Sequence, residues 1–348
     1  MKKNLINLGA WICLFVLSLA LIACDVVVAA PLSMDSADDL VMLGFLGMLI
    51  NKDTISSVFV SLQTSFNNAF GAAPTVWQKI AMRVPSTTSQ NIYAWLSKFP
   101  KMRKWVGDKH IKSLEAYKYA IVNDDWEATV EVDRNDIEDD QLGMYGPQAQ
   151  MAGQSAAQLP DEIVMDLVNG GFANLCFDGQ YFFDTDHLVS GASVSNKLTV
   201  ALSVANQAAA IASYGAARTA MLKFKDDEGR PLNVIPRILL VPPALESVAL
   251  AMVNNDRLTD GAANLYKGTA EVVVDARLTS DTAWFLLDTS QPIKPFIYQE
   301  RKAPVFVEQT STENDDVFNR KKFKYGAEAR AAGGYGFWQL AIGSTGAG

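Results

Sequence analysis

Ile55, Val58, Phe59, Leu62, Phe66 and Phe70 recur at spacings of three and four along residues 52–70, with Ser, Gln and Asn between them. That period gathers the apolar positions on one helical face and predicts an amphipathic arm. Gly71-Ala72-Ala73-Pro74 ends it, and Val76, Trp77, Ile80 and Met82 resume an apolar segment before Pro85. After a turn cluster at residues 86–90, Pro100 and Gly107-Asp108 break any long helix, while residues 115–122 and 126–132 alternate with the period of strands. A long two-stranded excursion is predicted. The acidic run Arg134-Asn135-Asp136-Ile137-Glu138-Asp139-Asp140 then precedes a long helical pattern over residues 148–169, where carboxylates favour the helix dipole. Pro160, followed by Asp161 and Glu162, predicts a kink or a fresh helix start, and Gly170-Gly171 predicts the stop.

The second half mixes the two periods. Residues 197–224 form an Ala-rich helical stretch, residues 237–241 read as a buried strand leaving into Pro242-Pro243, and residues 244–254 as another helix. Strands are predicted at residues 271–274 and 284–287, which makes this middle block a separate compact domain of mixed α and β content. Beyond Pro292 and Pro295, residues 304–309, 317–326 and 336–342 read as strands returning to the first half. The fold class is α+β.

Composition sets the next limits. The chain has 348 residues, 49% of them hydrophobic, enough for a sizeable core, which excludes disorder across most of its length. Thirty Lys and Arg against 38 Asp and Glu give a net charge of −8, unlike a protein that grips duplex DNA through its phosphates. Lys2 and Lys3 precede an apolar run at residues 8–23, then Cys24 and Asp25, the layout of an export signal. Leu21-Ile22-Ala23-Cys24 resembles a bacterial lipobox, so one alternative is a lipid-anchored surface-binding protein processed at Cys24. The run is shorter than the roughly 18 to 20 residues of a spanning helix. Against export stands a second possible start at Met48, from which 301 residues with 28 basic and 34 acidic side chains still make a complete globular protein. Residues 1–47 are expected to be a dispensable leader or a misassigned start.

Residues 91–125 reverse the acidic average: they carry seven of the 28 basic residues after Met48, together with Trp95, Phe99 and Trp105. A protruding hairpin with exposed Trp has little to pack against in its own domain, which points to a loop reaching onto a neighbouring subunit. The alternative is a solvated hairpin with ordinary packing.

Catalytic chemistry is sparse. The densest cluster is Asp178-Gly179-Gln180-Tyr181-Phe182-Phe183-Asp184-Thr185-Asp186-His187. Asp184, Asp186 and His187 offer metal ligands, but a catalytic site needs further His or Glu, and His110 is the only other histidine. The competing reading is a turn whose aspartates bond nearby backbone N–H groups while the aromatics pack. Cys13, Cys24 and Cys176 are too few for a disulfide framework, and Leu175-Cys176-Phe177 is the setting of a buried, inert thiol. There is no Gly-x-Ser-x-Gly elbow, and Gly333-Gly334-Tyr335-Gly336 runs into Phe337-Trp338 without the Lys-Ser/Thr of a phosphate loop, reading instead as a bend between strands. No catalytic residue, cofactor, metal ligand or small-molecule substrate is expected.

Several stretches together resemble the Mu-like phage major head subunit family, gpT. They are Trp95-Leu96-Ser97-Lys98-Phe99-Pro100 with Trp105-Val106-Gly107, Asp139-Asp140-Gln141-Leu142-Gly143, and Asp178 through Asp184. Further on come Lys294-Pro295-Phe296-Ile297-Tyr298-Gln299-Glu300-Arg301, Tyr325-Gly326-Ala327, and Ala331-Ala332-Gly333-Gly334-Tyr335-Gly336-Phe337-Trp338-Gln339.

The resemblance implies an HK97-type phage major capsid fold, with residues 48–85 as N-terminal arm and 86–130 as extended loop hairpin. Residues 131–189 would be the peripheral domain with its spine helix, 190–290 the axial domain, and 291–348 the return strands of the peripheral domain. Residues 1–47 lie outside the family pattern. The implied function is a structural head protein assembling through hexamers and pentamers into an icosahedral shell around dsDNA, which it would contact non-specifically. Its implied partners are scaffold, head protease and portal proteins, met in the host cytoplasm before the virion is complete. Contacts between subunits are assigned to Phe59 and Phe66 on the arm and to Trp95, Phe99, Trp105 and Lys109 on the loop. Covalent cross-linking in relatives of this fold pairs a Lys with an Asn. Lys98, Lys101, Lys104, Lys109 and Lys112 are present, but no partner or catalytic acid is identifiable, so no cross-link is expected.

Overall fold

The computed structural model describes residues 52–97, 119–138, 145–226, 228–309, 311 and 315–347. The first apolar stripe forms helix α1 (Lys52–Ala72), with Val58, Phe59, Leu62 and Phe66 buried. Helix α2 (Trp77–Ile80) leads directly into strand β1 (Ala81–Pro85). Strands β2 (Gln90–Ile92), β3 (Ala120–Val122) and β4 (Asp124–Asp133) follow, then the short helix α3 (Arg134–Glu138). The long helix α4 (Tyr145–Gly170) ends at Gly170, as the Gly170-Gly171 pair requires, but it passes through Pro160 without a fresh start. An interior proline costs about 3 kcal/mol. Leu159, Ile163, Val164 and Val168 are buried around it, each contributing about 1.5–3 kcal/mol, so packing outweighs the lost hydrogen bond.

The first sheet has the order β1-β11-β12-β4, where β11 is Phe296–Gln309 and β12 is Lys322–Tyr335. β1 runs parallel to β11 with Ala81 opposite Phe296, whereas β12 is antiparallel to both neighbours. β4 is therefore the edge of this sheet and not an arm of the excursion, whose return arm is β3. The period-two pattern explains it: Val132 is buried and Ala128 and Val130 half-buried, while Glu127, Thr129 and Glu131 face out. Exposed ion pairs Lys322–Glu131 at 2.7 Å and Arg330–Asp125 at 2.5 Å fasten β4 to β12, each worth no more than about 1 kcal/mol.

The second sheet has the order β7-β13-β10-β8-β9, from β7 (Lys197–Leu198), β8 (Ile238–Val241), β9 (Glu271–Val274), β10 (Trp284–Leu287) and β13 (Ala341–Ser344). Every residue of β8 and β10 is buried, as expected of central strands covered on both faces. The helical segment of this half starts later than the sequence pattern, at α5 (Gln207–Ala210), where Asn206 accepts the Ala209 N–H at 2.8 Å as N-cap. It continues through a π turn at Ile211–Gly215 into α6 (Ala216–Leu222), and α7 (Glu246–Asn254) follows β8.

Two expected strands are corrected. Residues 317–320 belong to helix α8 (Asp315–Arg320), and β12 begins only after Lys321, whose left-handed φ of 58° closes the helix. Trp338–Leu340 is a 3-10 turn. The Gly333-Gly334 pair lies inside β12 and is no bend. A Cβ on Gly333 would stand 2.7 Å from the Ile163 and Leu167 side chains of α4, and one on Gly334 would stand 2.1 Å from Ile121 of β3. These glycines let a helix and a hairpin approach one strand from opposite faces.

The two sheets share one apolar core. Phe182 stacks on Tyr335 (4.6 Å between centroids) and meets Phe296 (5.2 Å), both in the first sheet. Its neighbour Phe183 meets Phe285 of the second sheet at 5.3 Å. The middle block is thus riveted to the rest through adjacent aromatics, and Ile50–Gly348 forms one compact unit.

Candidate assembly interface

The excursion has a rigid root. β2 and β3 pair antiparallel with Gln90 opposite Val122, Asn91 opposite Ile121 and Ile92 opposite Ala120. Ile121 points inward and is buried, whereas Ile92 and Val122 on the outer face are 60% and 57% exposed. Beneath the hairpin, the Tyr93 hydroxyl donates to Gln299 Oε1 at 2.7 Å. Gln299 Nε2 donates to the Ile121 carbonyl at 3.1 Å and to Asn123 Oδ1 at 2.7 Å. Asn123 Nδ2 in turn reaches Ser86 Oγ and the Thr88 carbonyl, each at 2.9 Å. Tyr93, Asn123, Ser86 and Gln299 are all buried, so this network is a high-stakes lock between the hairpin and β11. Tyr119 adds to it, accepting the Tyr335 N–H at 2.8 Å, and burial pushes its phenol up to about 12.

Of the six residues assigned to subunit contacts, Phe99, Trp105 and Lys109 lie outside the described residues. So does the stretch Asp139 to Gly143. Trp95 belongs to its own chain's core margin, half-buried with its ring edge-on to Tyr93 (5.8 Å) and Phe337 (6.1 Å). The expectation of an exposed Trp at this position is corrected, because a 3-10 turn at Ala94–Ser97 folds it back under the hairpin root.

Phe59 and Phe66 are likewise inside this chain, 0% and 1% exposed. Phe59 meets Phe323 and Tyr325 of β12 edge-on at 6.1 and 6.2 Å, and Phe66 meets Phe306 of β11 at 5.5 Å. No ring face is left for a neighbour. Helix α1 lies on α4 so closely that a Cβ on Gly153 would stand 2.3 Å from the Phe66 carbonyl oxygen. Asp161 of α4 caps the next element, accepting the Val76 and Trp77 N–H groups at 2.9 and 2.6 Å. Its burial raises the carboxyl above its ordinary value despite those two donors.

The acidic aromatic turn is resolved in favour of turn chemistry. Asp184 accepts the Tyr181 and Thr185 N–H groups at 3.2 and 2.8 Å, and Asp186 accepts Gln180 Nε2 at 3.4 Å. His187, in strand β5 (His187–Val189), which pairs antiparallel with β6 (Ala192–Val194), does not converge with Asp184 and Asp186. Its Nδ1 lies 2.7 Å from Asp178 Oδ2, and Cys176 Sγ donates to Asp178 Oδ1 at 3.0 Å. The His187 ring stacks on Trp338 at 4.1 Å. Burial pushes the Cys176 thiol far up, whereas Asp178 is held below its ordinary value: burial opposes this, but the His187 and Cys176 hydrogen bonds prevail. Sequence spacing placed His187 with the wrong aspartates. The Leu175–Tyr181 bridge, which folds Cys176 and Asp178 back toward β5, is a tertiary feature without a local signal.

A spine helix under a long-stranded sheet, a rooted hairpin and a second sheet joined through one core define a phage major capsid protein of the HK97 type. Solved structures agree. The procapsid subunit of bacteriophage JBD30 matches with a TM-score of 0.55 at 33% identity, covering 85% of this chain and 76% of that one. The JBD30 capsid matches with 0.53 at 31% identity, covering 66% and 100%. A profile described as the Mu-like prophage major head subunit gpT matches residues 55–212, 201–278 and 275–347. The Mu-like prophage FluMu major head subunit of Haemophilus influenzae is 33% identical over 292 residues, 84% of this chain and 73% of that protein. The major capsid protein of Escherichia phage Mu is 32% identical over 295 residues, 85% of this chain and 74% of that protein. The chain belongs to the Mu-like prophage major head subunit gpT family and is a structural protein of the virion head. These relatives give the lipid-anchored alternative no support, and Cys24 lies outside the described residues. Among the described residues no helix is long and apolar enough to cross a membrane.

Proposed function

We propose that the chain builds an icosahedral shell through hexamers and pentamers, assembled in the host cytoplasm with scaffold, head protease and portal proteins, and encloses dsDNA through non-specific contacts. The observation that carries this reading is the apolar outer face of the hairpin root, where Ile92 and Val122 stand exposed on a base that buried hydrogen bonds hold rigid. Residues 98–118 beyond that root carry seven Lys and Arg against Asp108 and Glu115, a basic segment in an acidic chain suited to an acidic neighbour of the same sequence. Ile211, Leu250 and Leu265, between 39% and 57% exposed, supply apolar surface for contacts made by residues 190–290. Such repeated copies gain buried area that one chain lacks. Lap contacts fall to the loop, since the rings of the arm are internal. In this reading the chain performs no catalysis and takes no small-molecule substrate.

Negative-stain electron microscopy of residues 48–348, alone and with the neighbouring scaffold gene product, tests it. Ring-shaped capsomers, tubes or closed shells are expected, and their loss in an Ile92→Asp, Val122→Asp variant that stays folded. Dispersed monomers under both conditions would overturn the reading.

A further inference from the structure

We propose that Cys176, Asp178 and His187 form a binding site for a thiophilic divalent cation of the Zn²⁺ class. Among the described residues they are the group whose ligand atoms converge, all lying within 4.8 Å of one another. Sulfur, carboxylate oxygen and imidazole nitrogen together are the donor set of a borderline-soft cation, and Ca²⁺ or Mg²⁺ would refuse the thiolate. Residues 176 and 178 come from one turn and residue 187 from β5, so the turn closed by the Leu175–Tyr181 bridge presents a three-ligand cup. The Asp178 side chain keeps 20% exposure, which leaves one side open for a water ligand and for the ion to arrive.

A second observation concerns the far side of the imidazole. His187 is fully buried, yet among the described residues its Nε2 has no hydrogen-bond partner. With Nδ1–H donated to Asp178, that nitrogen is a stranded lone pair. With a cation on Nδ1, the ring proton moves to Nε2, the tautomer that metal-binding histidines adopt when they donate outward to a carbonyl or carboxylate. Binding is a proton-for-metal exchange: the Cys176 S–H proton leaves to solvent, a metal–sulfur bond forms, and the imidazole gives up its Nδ1 proton and takes one on Nε2 by exchange with solvent, so one proton is released in all. No oxidant or reductant is involved.

The site would brace the turn against β5 and, through Trp338, against the approach to β13. It stands independently of the shell reading. The test uses the purified full-length chain, stripped with chelator and titrated with Co²⁺ alone. A sulfur-to-cobalt charge-transfer band saturating at about one ion per chain is expected. The band should vanish in Cys176→Ser and persist when Cys13 and Cys24 are both replaced by Ser. Zn²⁺ should raise the unfolding temperature of the stripped parent chain and leave that of Asp178→Asn unchanged. Circular dichroism keeps the reading clear of misfolded variants. A folded parent chain without the band, or a band that survives Cys176→Ser, overturns the site. Shells formed by a chain that shows no band would leave the shell reading intact and remove this one.

Discussion

The Tyr93 hydroxyl donates to the amide oxygen of Gln299 across 206 residues of sequence, at 2.7 Å and with both side chains buried. That bond ties the foot of the hairpin to the strand that leads back from the second sheet. Removing one partner of a buried pair costs the desolvation of the group left behind, about 1–3 kcal/mol. Tyr93→Phe strands only Gln299 Oε1 and should cost about 1–2 kcal/mol. Gln299→Leu strands the Tyr93 hydroxyl and removes one bond each from the Ile121 carbonyl and Asn123 Oδ1, and should cost about 2–4 kcal/mol. Urea unfolding of the two variants and their double mutant measures both, with a total smaller than the sum because the groups share one network. A neutral Tyr93→Phe would remove the lock.

Gly153 provides a test of sign. On an open helix Gly→Ala stabilises by up to about 1 kcal/mol. At Gly153 the added Cβ would meet the Phe66 backbone carbonyl at 2.3 Å, so α1 must move away from α4. Overpacking of that kind costs about 1–3 kcal/mol, which outweighs the propensity gain. Gly153→Ala should therefore lower the unfolding temperature, while Gly146→Ala in the same helix, with nothing within 4 Å of its Cβ, should leave it unchanged or raise it.

That contrast also marks where local sequence is informative. The period of α1, the Gly170 stop of α4 and the buried runs of β8 and β10 are written in neighbouring residues, so pattern reading finds them. The Gly333-Gly334 pair reads locally as a bend because glycine weakens strands. Only the proximity of Ile163, Leu167 and Ile121 shows that it serves close approach. Trp95 and Phe66 fail for the same reason: an aromatic residue on an amphipathic pattern carries no mark of whether its partner is its own sheet or another subunit. The cup of Cys176, Asp178 and His187 was half legible, since the residues stand close in sequence but their pairing depends on how the turn folds.

Asp226 sets an acid limb. Burial alone would raise its carboxyl, but the Arg230 N–H at 2.9 Å, the Arg230 Nε at 3.0 Å and the Glu228 N–H at 3.0 Å outweigh it and hold the group below its ordinary 3.8. A carboxyl held low in the folded state contributes stability that is fully present above the unfolded value. That contribution is lost as pH falls through the lower folded value. Unfolding temperature measured from about pH 6 down to about pH 2 should fall less steeply for Asp226→Asn than for the parent chain, with a constant offset between the curves above pH 3.8 and the two drawing together below it. Parallel curves would show that the carboxylate is not preferentially held.

Trp95 precedes the basic segment in sequence and Trp105 lies within it, and their substitutions should separate folding from assembly. Trp95 packs edge-on against Tyr93 and Phe337, so Trp95→Ala opens a gap under the hairpin root and should cost about 2–3 kcal/mol, half-buried as it is. Its particles, where they form, would fail through instability. Under the shell reading Trp105 is instead an anchor for a neighbour, and such aromatic anchors dominate interface energies while adding little to their own chain. Trp105→Ala should keep the parent's unfolding temperature and lose closed shells by electron microscopy. The same outcome is expected when Lys101, Lys104 and Lys109 are changed together to Glu, because repulsion replaces attraction at an interface whose approach is charge-steered. Raising salt should weaken assembly of the parent chain and rescue part of the Glu variant's deficit, since screening removes attraction and repulsion alike. If Trp105→Ala and the triple Glu variant both assemble normally, the basic loop makes no contact that the shell needs, and the lap function moves to the apolar pair Ile92 and Val122 at its root.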